Sequence, residues 1–157
     1  MKAYNGTSTT VANSQEAIRK ILNKYGADGV QFSEEWKTRR IMVRFLYSVG
    51  SVQYSVLFIV PIPDVDMKTP TGRTRKESQT ALLQAQTHRQ IWRAVHWAIK
   101  SRMEAVEFGI ETFQEAFMSH FEIPGTSSTI GDVVLPALES GKLNKLMITS
   151  DAGRSRA

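Results

Sequence analysis

The chain has no cysteine among its 157 residues. Disulfides, thiolate nucleophiles and cysteine-ligated zinc are therefore excluded. Long apolar runs are missing too. No stretch of eighteen apolar residues occurs, so the sequence predicts no membrane-spanning helix. The opening segment, MKAYNGTSTTVANSQ, lacks the apolar centre of a secretory leader, and a cytoplasmic protein is expected. Asn5-Gly6-Thr7 fits a glycosylation acceptor, but without a leader it reads as a plain turn. The phosphate-cradling glycine loops are absent, both the Walker type and Gly-x-Gly-x-x-Gly, and so is the Gly-x-Ser-x-Gly nucleophile elbow. No Glu-x-x-His pair exists to build a carboxylate-bridged metal site. These absences leave no catalytic motif. The expectation is a non-enzymatic protein without catalytic residues, cofactor or metal.

What is present is charge, unevenly spread. The formal net charge is +5, which favours anionic partners. From Lys68 to Arg102 there are eight Lys or Arg residues against one acid, Glu77. From Met103 to Glu122 there are five acids and no Lys or Arg. One half of the C-terminal region is thus basic and the next half acidic.

Hydrophobic periodicity gives the elements. Ser14 to Tyr25 predicts an amphipathic helix, opened by Asn13 with Glu16 as a capping box and closed at Gly26. Gly29 to Phe32 predicts a weak strand. Strict alternation predicts strong ones at Arg39–Ser48 and Val52–Val60, joined by a Gly50-Ser51 hairpin turn. The third strand is apolar on both faces at its end, Leu57 to Val60, which fits a covered strand. Residues 64–76 predict a mobile basic loop, and Thr74 with Glu77 fits a second capping box. Ser78 to Phe121 then reads as one helical pattern. Trp92, Val95, Ile99, Met103, Val106, Ile110, Phe113 and Phe117 recur at spacings of three and four, which puts them on one helical face. Unbroken, this helix would run roughly 65 Å, against a domain diameter of about 35 Å. A break near Gly109, or a projecting helix, is required. A short helix near Ile130 to Leu138, bent by Pro136, closes the pattern. The expected fold is α+β: an N-terminal helix, a three-stranded antiparallel sheet, a long helix packed on it and a short C-terminal helix. Its domain spans 14–147, between a flexible N-terminus over 1–13 and a disordered tail over 148–157.

Four places carry a resemblance: Lys24-Tyr25-Gly26-Ala27; the strand ending Phe58-Ile59-Val60-Pro61-Ile62-Pro63; Trp92-Arg93 with Ile99-Lys100 and Glu104-Ala105-Val106-Glu107 through Phe117; and Thr129-Ile130-Gly131-Asp132 before Pro136. In these the chain resembles a family of small uncharacterised phage and prophage proteins with no established activity. The resemblance implies a phage or mobile-element setting, where proteins of this size often handle nucleic acid or intercept host proteins. In layout alone the element order is similar to phage strand-annealing proteins and double-stranded RNA-binding domains. Layout does not assign function.

The candidate binding set is basic. It comprises Lys37, Arg39, Arg40 and Arg44 around the second strand, Lys68, Arg73, Arg75 and Lys76 on the loop, and Arg89 and Arg93 on the long helix, with Lys100 and Arg102 beyond them. Cations beside exposed rings suit single-stranded nucleic acid, because charge meets phosphate and rings stack on bases. Trp92 lies on the apolar stripe and is expected in the core. Trp97 stands off it and is the stacking candidate, with Trp36 a second. Glu107, Glu111 and Glu115 repeat every four residues and are expected to share a helical face toward a partner or a neighbouring copy. The lead expectation is a nucleic-acid-binding, DNA-binding phage protein of replication or recombination, acting as a homo-oligomer away from membranes, with strand type open. The alternative is a protein-interaction module that self-assembles, or docks on a host or phage protein, through its long helix. A nuclease is a weaker third reading, since the acid–lysine cluster it needs is not visible in the sequence.

Overall fold

The structure, a computed structural model, describes residues 3–143. The expected tail over 148–157, and the last residues of the expected domain, lie outside the described residues. Helix α1 spans Val11–Lys24, followed by strands β1 (Gly29–Glu35), β2 (Arg40–Val49) and β3 (Val52–Pro61). Helix α2 spans Glu77–Glu107, α3 Phe113–Phe117 and α4 Ile130–Glu139. This is the α+β layout expected. Among the described residues no helix is long and apolar enough to cross a membrane.

The strands form one antiparallel sheet in the order β1-β2-β3. The β2–β3 register pairs Phe45 with Val56 and Val43 with Phe58, and the hairpin turns at Gly50, whose φ of +61° suits a residue without a side chain. The alternation then sorts the faces. Ile41, Val43, Phe45, Val56 and Phe58 are buried on one side, under Trp92, Val95, Ile99 and Met103 of α2 and Ile18 and Leu22 of α1. Phe32 meets Trp92 edge-on at 5.5 Å, and Phe45 meets Phe117 the same way. β3 is an edge strand, yet Leu57 on its other side is also buried. The covering comes from the chain after α3. Phe121 bridges to Val56, and the Glu122 N–H donates to the Ser55 carbonyl at 2.8 Å.

Of the two outcomes that length allowed, a break or a projecting helix, the pattern breaks, near Gly109. α2 stops at Glu107 with Phe108 as its cap, and Gly109 turns the chain at φ +70°. Thr112 then caps α3. Two expectations fall with this corner. Ile110 is not on the buried stripe but is 74% exposed in the turn. Phe113 and Phe117 are buried, but from a second helix folded back on the sheet, where Phe113 stacks on Tyr47 at 4.1 Å. Met103 is buried as expected, whereas Val106 at the end of α2 is only half-buried.

Helix starts also differ from the sequence reading. α1 begins at Val11, with the Thr10 hydroxyl accepting from the Asn13 N–H, so Asn13 is inside the first turn and not the cap. Upstream, the Ala3 and Thr7 carbonyls accept from Gln90 and Gln86 of α2. α2 is capped at Lys76, whose N–H donates to the Gln79 side chain, rather than at Thr74. At α1 Thr10 and Asn13, both favoured capping residues, lie within one turn, and the first of them takes the cap.

Candidate nucleic-acid interface

The predicted basic residues separate into three groups. The first sits on the sheet, and its three arginines are partnered. Arg39, held in the left-handed region at φ +49°, pairs with Asp64 and donates to the Pro63 carbonyl. Arg40 pairs with Glu35 at 2.7 Å, which holds that carboxylate below its ordinary range. Arg44 makes a two-pronged contact to Glu122 at 2.7 and 2.9 Å and also donates to Gln31. The Arg44 guanidinium and the Ser55 hydroxyl hold the Glu122 carboxyl well below the usual carboxylate range. These arginines fasten the sheet and its flanking turns. Lys37 is exposed in the β1–β2 turn.

The second group is the loop between β3 and α2. Lys68 and Thr74 bridge across a tight turn, in which the Thr69 N–H donates to the Arg73 carbonyl at 2.8 Å. Arg75 is half-buried, and its Nε donates to the Asp66 carbonyl. Lys68, Arg73 and Lys76 are exposed. The loop thus has an internal frame that presents three cations outward.

The third group lies along α2. Arg89, Arg93, Trp97 and Lys100 fall on one side of the helix when about 3.6 residues make a turn. Trp97 is 38% exposed, with the Arg93 guanidinium and the Lys100 ammonium each 5.2 Å from its ring centroid. Both cations gain from the ring's negative face. Arg93 also donates toward His96 Nδ1 at 3.3 Å, which requires that nitrogen to be unprotonated. Burial, then the charges of Arg93 and Lys100, hold His96 below its ordinary value. Lys100 additionally contacts Glu104. Arg89 is half-buried against the Gln86 side chain. The result is an exposed ring bracketed by cations and anchored by a neutral histidine.

Of the other tryptophans, Trp92 is fully buried, as expected, and Trp36 is 86% exposed at the β1–β2 turn. Trp36 forms one wall of a cleft of about 490 Å³ with Arg39, Ile62, Ala81, Gln84, Ala85 and His88. His88 Nε2 lies 3.0 Å from Glu34 and 3.4 Å from the Trp92 indole nitrogen. One nitrogen cannot donate to the first and accept from the second, and the shorter contact makes Nε2–H the donor to Glu34. His88 and Trp97 are nine residues apart, about two and a half turns, so the cleft and the Trp97 strip lie on opposite sides of α2. Sequence reasoning did not find this cleft, because its walls come from three separate segments.

The acidic residues are not one stripe. Glu107 ends α2 and accepts the Tyr25 hydroxyl at 2.7 Å, which pushes that phenol up to about 12. Glu111 is exposed in the Gly109 corner, and Glu115 closes the capping box of α3 through the Thr112 N–H. The break rotates them out of register, so the shared helical face does not exist. Among the described residues no cluster of three His, Asp or Glu side chains is placed to hold a metal ion.

Set against protein-family models, curated proteins and solved structures, the chain matches none of them. The reading of this surface rests on its own geometry.

Proposed function

We propose that the chain is a non-enzymatic nucleic-acid-binding protein, acting in a phage or mobile-element setting during replication or recombination, with single strands as its preferred target. The observation that carries the reading is the Arg93–Trp97–Lys100 arrangement, a part-exposed indole with two cations at 5.2 Å on a helix side that also holds Arg89. Phosphates would meet the cations along this side and on the adjoining loop, and a base would meet the ring. Stacking requires one of the two cations to leave the ring face and follow its phosphate. The binding term is sequence-tolerant, because every base has a π-face. Gel-shift titration with single- and double-stranded DNA and RNA, at low and moderate salt, tests it. Binding at low salt that weakens steeply with salt is expected. No binding to any strand at low salt sinks the reading.

A second reading accompanies it: the protein self-associates. Large apolar side chains stand exposed at both ends of α2, Leu82 near its start and Phe108 and Ile110 just past its end. Light scattering across micromolar concentrations tests this independently of nucleic acid.

A further inference from the structure

The segment before α1 is pinned to α2 by two glutamines. Gln90, 6% exposed, donates from its side-chain amide to the Ala3 carbonyl at 2.9 Å. Gln86 donates in the same way to the Thr7 carbonyl at 3.4 Å. Between these anchors the chain makes a tight turn, closed by the Thr7 N–H donating to the Tyr4 carbonyl at 3.1 Å. Tyr4 is held in the left-handed region at φ +56°, which a residue with a side chain adopts only at a cost. It is 39% exposed, as Trp97 is 38% exposed.

Helical spacing says where this turn sits. Gln86, Gln90, Arg93 and Trp97 follow one another at spacings of four, three and four, so they share one side of α2. Two turns, about 10 Å, separate Gln90 from Trp97, and Arg93 lies between them. The turn that carries Tyr4 is therefore fastened to the side of the helix that carries the exposed indole, with the Arg93 guanidinium in between.

We propose that Tyr4 is a second base-stacking ring, so that one single strand runs along α2 with a base on Tyr4, a phosphate at Arg93 and another base on Trp97. This rests on the nucleic-acid reading above and extends its site to the N-terminal turn. A nearly buried glutamine amide is spent on holding that turn, and a left-handed tyrosine persists only where its surroundings fix it, as they do at ligand-binding positions. The spacing also selects the form of the strand. Stacked bases in a duplex lie about 3.4 Å apart along each strand. Anchor points about 10 Å apart cannot take neighbours of such a stack, but they suit an extended strand whose bases turn outward. The preference for single strands then comes from geometry, and neither ring reads sequence.

The test is fluorescence anisotropy with labelled oligothymidylate and with a duplex, from low to moderate salt. Tyr4→Ala is expected to weaken single-strand binding about tenfold, as loss of a stacking ring does, and to leave duplex binding unchanged. The salt slope is expected to stay at the wild-type value, because the ring neutralises no phosphate. Tyr4→Phe is expected to bind like the wild type and Tyr4→Leu like Tyr4→Ala, since the flat ring and not bulk does the stacking. Gln90→Ala, checked by circular dichroism for wild-type helix content, is expected to lose the same affinity, with no further loss when combined with Tyr4→Ala, because Gln90 acts by positioning Tyr4. A wild type that binds no strand overturns the nucleic-acid reading itself. A wild type that binds and is weakened by Trp97→Ala but not by Tyr4→Ala overturns the second ring and leaves that reading standing. Equal losses for single strand and duplex overturn it as well, and so does tighter binding by Tyr4→Ala, which would make the turn a cover over the strip.

Discussion

The basic stretch Lys68–Arg102 and the acidic stretch Met103–Glu122 look like mirror images in the sequence, but the fold uses them differently. The acids are mostly spent inside the chain. Glu104 contacts Lys100, Glu107 accepts from Tyr25, Glu115 caps α3, and Glu122 binds Arg44 and Ser55. Of the five, Glu111 alone has no hydrogen-bonded or ion-paired side chain among the described residues. Of the eight cations, three face outward and five are half-buried. Lys68, Arg73 and Lys76 are exposed, and Arg93 and Lys100 meet an aromatic ring. A block of one charge therefore marks a partner surface only where the fold leaves it unspent. Here the unspent charges are Lys68, Arg73 and Lys76, while Lys100 is itself spent on Glu104.

Substitutions can break this contrast, and the largest effect is expected where the two stretches join. Met103 is 1% exposed between α2 and the sheet. Met103→Asp is expected to unfold the protein, at a cost of about 4 to 5 kcal/mol, because a buried carboxylate loses hydration without gaining a partner. A stable variant by thermal melting would show that this face is not core. Next comes the loop. Replacing Arg73, Arg75 and Lys76 together with Ala should lower nucleic-acid affinity by at least about tenfold at low salt and flatten the salt slope by up to about three phosphate equivalents. Its melting temperature should hardly change, since two of the three are exposed and Arg75 contacts only a loop carbonyl. Trp97→Ala should cost roughly 1 to 3 kcal/mol in single-strand binding, and much less for duplex, if the ring stacks on a base.

The acidic side predicts the reverse pattern. Glu122→Ala should lower stability by about 1 to 2 kcal/mol, since it strips Arg44 and Ser55 of their acceptor, and should leave nucleic-acid affinity unchanged. A loss of binding without loss of stability would place Glu122 at the interface instead. The smallest effect concerns pH. His96 lies below its ordinary 6.5 in the folded state through burial and its cationic neighbours. The unfolded chain therefore binds its proton first, so stability is full above about 6.5 and declines as pH falls below it. His120 is held down by burial and shifts in the same direction. His96→Gln should flatten part of that slope in melting curves taken across the weakly acidic range. An unchanged slope would show that His96 is not titrating against the fold.

Much of the fold was legible from short-range pattern. β2 alternates, β3 alternates up to its apolar end, and Gly50 marks their turn, so the hairpin was legible from spacing. Length set against domain size called for either a break or a projecting helix, and Gly109, the weak helix former in the stripe, marked where a break would fall. The phase beyond it was not legible, because Phe113 and Phe117 sit where an unbroken helix would also bury them. The same coincidence produced the apparent Glu107–Glu111–Glu115 face. Partnering was invisible for a different reason. Arg44 and Glu122 are 78 positions apart, and Arg39 and Asp64 are 25 apart. Nothing local in the sequence couples them, so arginines that fasten the sheet read as phosphate contacts. Trp97 was legible because it stands off the apolar stripe, and the Trp36 cleft was not because it exists only after folding.

The corner at Gly109 also decides which chain owns the last third of the fold. Its left-handed backbone turns α3 back so that Phe113 and Phe117 reach Tyr47 and Phe45 of the same sheet. The residues on both sides of it satisfy a helical pattern throughout. A straightened corner would carry α3, the Phe121–Glu122 stitch and α4 away as an arm, and the only matching sheet for that arm would be another copy's. A side chain at this left-handed position would strain the corner that keeps α3 on the sheet of its own chain.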